Sequence, residues 1–339
     1  MKNTNRFSLF ILLCLIATSL EAVADEGMSF VDENVIQVRV VGPSNSGIDN
    51  YTRTFEWSPV QNGNSLAQVL GLLNDGASVW VYAKSETHVI KSDIVVTANN
   101  INLVMQNVTI KAPEKAFNHI IKFEGSNSTI FGVKVEGPDD RNLPNGSINT
   151  TSGIHVTGDN CELIGCEASR TPNFPASTAN NHCFHIQGAS TKVRSCKATN
   201  PGAICFKSGN GSSGSVYDRI EAIMESPTEN SHSRFFTSFL DGEIEIKNSI
   251  FRASYPSDTP ADHREAAMVF DTVASGTVNV TMSDCDINCG ENVGENGVPV
   301  IKLSIGVKEA NFTRVAIASE DEDYNGHSLS LASVRGLVF

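Results

Sequence analysis

The feature that most constrains this chain is a degenerate repeat of short segments with the form apolar, any residue, turn residue, any residue. Met105-Gln106-Asn107-Val108, Ile130-Phe131-Gly132-Val133, Leu163-Ile164-Gly165-Cys166, Val193-Arg194-Ser195-Cys196, Val216-Tyr217-Asp218-Arg219, Ile246-Lys247-Asn248-Ser249 and Met282-Ser283-Asp284-Cys285 line up. Their third column reads Asn, Gly, Gly, Ser, Asp, Asn, Asp. These residues tolerate a left-handed backbone or bond their own main chain, so the column predicts a tight bend between two short strands. It recurs every 23 to 36 residues. That period, with strands too short for hairpins and no alternating helices, is the mark of a solenoid.

A second column sets the register. Ile121-Lys122-Phe123-Glu124-Gly125, Ile154-His155-Val156-Thr157-Gly158 and Phe184-His185-Ile186-Gln187-Gly188 match position for position, and Ile204-Cys205-Phe206-Lys207-Ser208 is aligned after them. The alternation predicts apolar side chains inward and polar ones outward. Phe239-Leu240-Asp241-Gly242, Met268-Val269-Phe270-Asp271 and Ile301-Lys302-Leu303-Ser304 continue the series. Only 7% of residues are aromatic, while Gly, Asn, Ser and β-branched residues abound, which suits a narrow β interior. Ser65 to Leu73 has helical spacing at Leu66, Val69, Leu70 and Leu73, and a short helix there would cap the open end of the stack. The expected organisation is a leader over residues 1–24, an extension with strands over 25–63, and the solenoid over 64–339.

Lys2 and Arg6 precede the apolar run Phe7 to Leu20, and Ala22-Val23-Ala24 offers a cleavage site before Asp25. This predicts a signal peptide and a secreted or periplasmic mature chain. No later run is apolar for the length of a bilayer, so no membrane span is expected. Cys14 leaves with the leader; of the seven remaining cysteines, Cys166, Cys196 and Cys285 share the position after the bend and read as small buried apolar groups. Cys285 and Cys289 flank a turn and are the candidates for a disulfide. The net charge of -13 argues against a broad nucleic-acid surface but leaves room for a local basic strip.

The cap helix, the stretch Asp75-Gly76-Ala77-Ser78-Val79-Trp80-Val81 and the coil columns resemble the secreted right-handed parallel β-helix proteins of the pectate-lyase-like superfamily over roughly residues 64 to 335. Arg170-Thr171-Pro172 resembles the start of the Arg-x-Pro-x-x-Arg motif of pectate lyases, without its second Arg, and the Asn-Thr-Asp, Gly-His-Gly and Arg-Ile-Lys hallmarks of polygalacturonases are absent. The resemblance implies an all-β right-handed parallel β-helix, a polysaccharide partner, and basic residues with Ca²⁺ along one face.

Equivalent residues on successive coils of a parallel stack lie about 4.8 Å apart, so columns become spatial expectations. One outward ladder is expected to run Lys122, His155, His185, Cys205, Phe239, Val269, Lys302, and the other Glu124, Thr157, Gln187, Lys207, Asp241, Asp271, Ser304. For β-elimination or C5 epimerisation of a uronate polymer, Lys207, or a Ca²⁺ held by Asp241 and Asp271, would neutralise the sugar carboxylate. His185 or His155 would take the C5 proton. Lys122, Gln187, Arg170 and Phe239 are the candidates for substrate binding.

Three other chemistries fit the same residues. Asp241 and Asp271 on neighbouring coils, about 5 Å apart, would suit a retaining glycoside hydrolase. His155, His185 and Cys205 are of the types that bind Zn²⁺. A non-catalytic glycan-binding surface needs no base at all. Long excursions at Ser169 to Asn181, Ala222 to Arg234, Ala253 to Glu265 and Cys289 to Val298 are placed as walls of a cleft.

Overall fold

The computed structural model describes residues 36–43, 50–57, 65–90, 92–112, 119–137, 152–169, 182–225, 234–254, 267–272, 276–289, 300–318, 329–331 and 336–338. Residues 1–24, expected to be a leader, together with Arg170 and most of the four expected excursions, lie outside the described residues.

The chain winds as a right-handed parallel β-helix. Each regular coil supplies one strand to a nine-stranded parallel sheet and two shorter strands, joined by a bend, to a second sheet. The coil of His182–Ile186, Lys192–Arg194 and Lys197–Thr199 is representative. Parallel pairing forces each polypeptide turn to advance by one strand spacing, and the hand follows the general preference of parallel crossovers.

The bend column takes the expected backbone. Asn107, Gly132, Gly165, Ser195, Asn248 and Asp284 all have positive φ, between 52° and 69°. The amides of four of them reach the next coil: Gly132 N to Ile164 O (2.9 Å), Gly165 N to Arg194 O (3.0 Å), Ser195 N to Asp218 O (3.0 Å) and Asn248 N to Ser283 O (3.0 Å). One position is displaced: the left-handed residue is Arg219, not Asp218. Tyr217, rather than Val216, pairs with Val193 and fills the core, which moves the bend one residue along. Asp218 ends its strand and accepts a hydrogen bond from Asn248 Nδ2 at 2.8 Å.

At the other corner, side chains stitch coil to coil. Asn99 N donates to Asp75 Oδ1 (2.7 Å), Ser126 N to Asn99 Oδ1 (2.9 Å), Asp159 N to Ser126 Oγ (3.0 Å) and Ala189 N to Asp159 Oδ1 (2.8 Å). Beside this row, Gly125, Gly158 and Gly188 pass so close to the preceding coil that a Cβ on any of them would collide with a backbone carbonyl, that of Ala98, Gly125 and Gly158 respectively.

Stacked apolar columns fill the interior. Ile94, Ile121, Ile154, Phe184, Phe206, Phe236, Met268 and Ile301 are paired in register and buried. Phe184 and Phe206 stack at 4.8 Å with an interplanar angle of 11°. The seven cysteines from Cys161 to Cys289 are all buried and unbridged, so Cys285 and Cys289 form no disulfide. Cys166, Cys196 and Cys285 instead sit against carbonyls of the preceding coil. Burial pushes the Cys285 thiol up to about 11 and the Cys289 thiol to about 12, which keeps both protonated and unreactive.

The helix Ser65–Gly71 buries Leu66 and Leu70 over the first strand of the nine-stranded sheet. The strands Ile36–Pro43 and Asn50–Trp57 form an antiparallel pair, and the first of them pairs antiparallel with Ser78–Val89. That hairpin covers the edge from which the second sheet would otherwise begin. No described helix is long and apolar enough to cross a membrane.

Two glycine substitutions separate the two constraints. Gly165 has φ +61° but open space around its Cβ direction, so Gly165→Ala is expected to cost about 1–2 kcal/mol in backbone strain alone. Gly188 meets backbone, so Gly188→Ala should cost more, at or above the roughly 1–3 kcal/mol of an overpacked core. Urea denaturation of the two variants reads the order directly.

Candidate functional site

The outward face of the nine-stranded sheet gathers stacked histidines beside lysines, whereas the ion pairs Lys111–Glu136, Lys134–Glu167, Arg194–Glu162 and Lys197–Glu221 lie on the second sheet. The register of the nine-stranded sheet places Lys122, His155, His185, Lys207, Thr237, Val269 and Lys302 side by side on seven successive strands. Lys207, not Cys205, is therefore the neighbour of His185. A shift of two residues leaves the inward and outward alternation intact, so alternation alone could not resolve it; the stacking of Phe206 on Phe184 does.

The second ladder holds for Glu124, Thr157 and Gln187 and then departs from expectation. Gly209 lies two residues beyond Lys207, and Phe239 pairs with Asp271. Phe239 is 44% exposed and offers an apolar ring on this face, one column over from where it was expected. Asp241 is absent from the face: it lies in the turn beyond Phe239, where Oδ1 accepts the amide of Thr277 at 2.8 Å. Asp271 accepts the amide of Thr272 at 2.8 Å. The register pairs Asp271 with Phe239, so the two aspartates are not set side by side on adjacent strands as the shared Ca²⁺ and the retaining hydrolase pair were expected to require. Cys205 is fully buried, and among the described residues no three His, Cys, Asp or Glu side chains converge on a metal position, so the Zn²⁺ set of His155, His185 and Cys205 is not formed.

Two further histidines join the face. His119, Ser152 and His182 pair in register at the start of their strands, three residues before Lys122, His155 and His185. Strict alternation would turn them away. However, Ile120 with Ile121 and Cys183 with Phe184 are consecutive buried residues, marking a corner where two side chains in a row enter the core. Residues three apart then share a side. The runs Ile120-Ile121 and Cys183-Phe184 were the available signal.

The four imidazoles are in contact. His155 and His185 stack at 4.5 Å and 8°, His119 meets His155 at 4.3 Å, and His182 packs edge-on to His185 at 5.1 Å. His155 Nε2 lies 2.7 Å from Gln187 Oε1, so it carries the proton and donates. His155 Nδ1 is then the acceptor for His119 Nε2 at 3.3 Å. Gln187 thus fixes the tautomer of His155, and both its ring nitrogens are engaged. His185 differs: it is 7% exposed, and neither ring nitrogen has a hydrogen-bond partner among the described residues. Gly209 passes close to it: a Cβ there would lie 2.9 Å from His185 Nε2, and both ring nitrogens are buried.

Burial dominates the electrostatics. It lowers His119 to about 3, helped by His155 and Lys122, and lowers His155 to about 4 against the opposing hydrogen bond from Gln187. His185 falls to about 2 through burial, then through His155 and Lys207. Lys207 is pushed below the ordinary lysine range by burial. Lys122 is paired with Glu124 at 2.7 Å. The face is therefore a neutral imidazole stack with an ammonium at each end.

No protein family and no curated protein sequence matches the chain. Among solved structures, it is similar to a pectate lyase, Pel9A, with a TM-score of 0.46 and 12% identity over 81% of this chain and 79% of that one. It is also similar to the pectin methylesterase from Aspergillus niger, with a TM-score of 0.47 and 11% identity over 79% of this chain and 85% of that one. At this identity the likeness concerns fold.

The buried stack makes stability depend on pH. His155, His119 and His185 have folded pKa values below the ordinary 6.5, so their contribution is complete above pH 6.5 and is lost as pH falls toward about 4, 3 and 2 respectively. Each costs up to about 1.4 kcal/mol per pH unit in that window. Unfolding midpoints in urea between pH 7 and 4 should fall steeply, and His185→Phe, which keeps a ring in the stack, should flatten the slope. An unchanged slope would mean that the imidazoles are not held neutral by burial.

Proposed function

We propose that this protein is an exported enzyme acting on an acidic, uronate-containing polysaccharide by removing the proton at C5, as a polysaccharide lyase or C5-epimerase. One observation carries the reading: His185 is a neutral imidazole with both ring nitrogens unbonded among the described residues, stacked beside a desolvated ammonium, Lys207, on the face that also exposes Phe239.

The roles follow from the chemistry. A proton α to a carboxylate is hard to remove while the carboxylate keeps its charge, and Lys207 neutralises that charge in a poorly solvated setting where the interaction is strong. Neither ring nitrogen of His185 is committed to a hydrogen bond among the described residues, whereas both of His155 are; the His185 nitrogens are sealed from solvent, so substrate must displace their cover to reach the lone pair. A uronate carboxylate settling beside Lys207 favours imidazolium, raising the proton affinity of His185 when substrate is present. In the lyase, the C5–H pair becomes the C4–C5 double bond, the C4–O4 bond breaks, and the leaving oxygen takes a proton from water. In the epimerase, a proton returns to C5 from the opposite side. Phe239 supplies an apolar surface for a pyranose ring, and Lys122 a second cation. The expected leader over residues 1–24 supports action outside the cytoplasm.

Incubating the protein with alginate, pectate and glycosaminoglycans while following the unsaturated uronate chromophore tests the lyase, and NMR of the recovered polymer tests the epimerase. His185→Phe and Lys207→Ala should each lower kcat/KM by at least about 100-fold, the usual scale for a general base or a charge stabiliser. Growth of reducing ends without the chromophore would overturn the reading in favour of hydrolysis. Binding with no change in the polymer would overturn it in favour of a glycan-binding surface.

The pH profile gives an independent check. His185 is neutral in the free protein down to about pH 2, so kcat/KM should show no inflection near pH 6.5. A break there would mean that an ordinary, solvated histidine is the base.

A further inference from the structure

The register of the active face contains a second regularity. Along the column Lys122, His155, His185, Lys207, Thr237, Val269, Lys302, a lysine occupies every third strand. The two positions between Lys122 and Lys207 are imidazoles held neutral, and the two between Lys207 and Lys302 are Thr237 and Val269. The column is thus a row of isolated positive charges separated by pairs of uncharged side chains. Three strand spacings of about 4.8 Å put neighbouring lysines about 14 Å apart, and the whole row spans about 29 Å.

Two carboxylates modulate this row. Glu124 holds Lys122 at 2.7 Å, so an incoming anion competes for that lysine. Asp271 lies in the adjoining column, on the strand of Val269, where it discourages a second negative charge between Lys207 and Lys302. An extended 1,4-linked pyranose chain advances by nearly one strand spacing per sugar. The four side chains between the lysines are only 6–8% exposed, so the lysines are the groups of this column within reach; a polymer lying along the solenoid axis offers roughly one sugar per coil and meets a lysine at every third.

We propose that the face reads its uronate polymer at every third sugar, with Lys207 at the reacting residue, Lys302 the principal remote contact and Lys122 a weaker one. This rests on the functional reading above and adds to it a chain-length requirement. Four sugars bridge two lysines, and seven bridge all three. Because the contacts share one rigid face, each added bridge acts at high effective concentration.

The test is a titration of oligogalacturonates and oligomannuronates of two to eight sugars against the His185→Phe protein, which removes the base and so prevents turnover. Affinity should step up between three and four sugars and again, less strongly, between six and seven, by about 5-fold per step, the ceiling for an exposed ion pair. Lys302→Ala should keep a step at four, through Lys122 and Lys207, and lose the step at seven. The double variant Lys122→Ala with Lys302→Ala should lose both. Thermal melts of each variant check that the fold is kept. A smooth rise in affinity with length, or steps that survive the double variant, would overturn the three-sugar reading while leaving the uronate reading standing. If no uronide of any length binds while the fold is intact, the functional reading falls, and this inference with it.

Discussion

The structure depends on one constraint: successive coils must lie in parallel register at a single strand spacing, so that each side chain meets its counterpart above and below. Left-handed residues such as Gly165 and Ser195 satisfy this at one corner by turning an amide onto the next coil's carbonyl. The row from Asp75 to Asp159 satisfies it at another by lending side-chain oxygens to backbone amides. Once register is fixed, any column becomes a row of like environments. An apolar column packs as Phe184 on Phe206, and a polar one stacks as His155 on His185.

That dependence explains why some of the molecule could be read from residues and some could not. The bend column was readable at Asn107, Gly132 and Gly165 because few residue types tolerate its backbone. The alternation of Ile154, His155 and Val156 was readable from side-chain polarity, although His155, at 6% exposure, is buried as well. The place of Lys207 was not. Ile204 and Phe206 are both inward and both apolar, so two registers satisfy the pattern, and only packing across coils chooses between them. His119 and His182 were hidden by a corner that sends two consecutive residues into the core. Asp241 shows a different limit, since a carboxylate bound to a backbone amide has the same sequence appearance as one awaiting a ligand.

The candidate site inherits its electrostatics from the same stacking. Histidines placed face to face cannot all be solvated, and a charge on one raises the cost of a charge on the next. Neutrality is therefore a property of the column rather than of any single imidazole. Lys122 and Lys207 at its ends reinforce it, because each ammonium disfavours protonation of the ring it adjoins. Gln187 adds orientation by fixing which nitrogen of His155 carries hydrogen.

The unbridged cysteines carry a consequence for how such a chain is made. Every thiol from Cys161 to Cys289 is sealed in the interior, so the finished solenoid is chemically indifferent to the redox state of its surroundings. An unfinished one is not. Cys166 and Cys196 occupy adjacent coils, and until the second coil docks on the first, both sulfurs face solvent as candidates for mispairing. Were the coils to wind one at a time onto the capped end, that exposure would shrink to the interval between neighbouring coils. Assembly order would then decide which sulfurs ever meet, as covalent cross-links do in small exported domains.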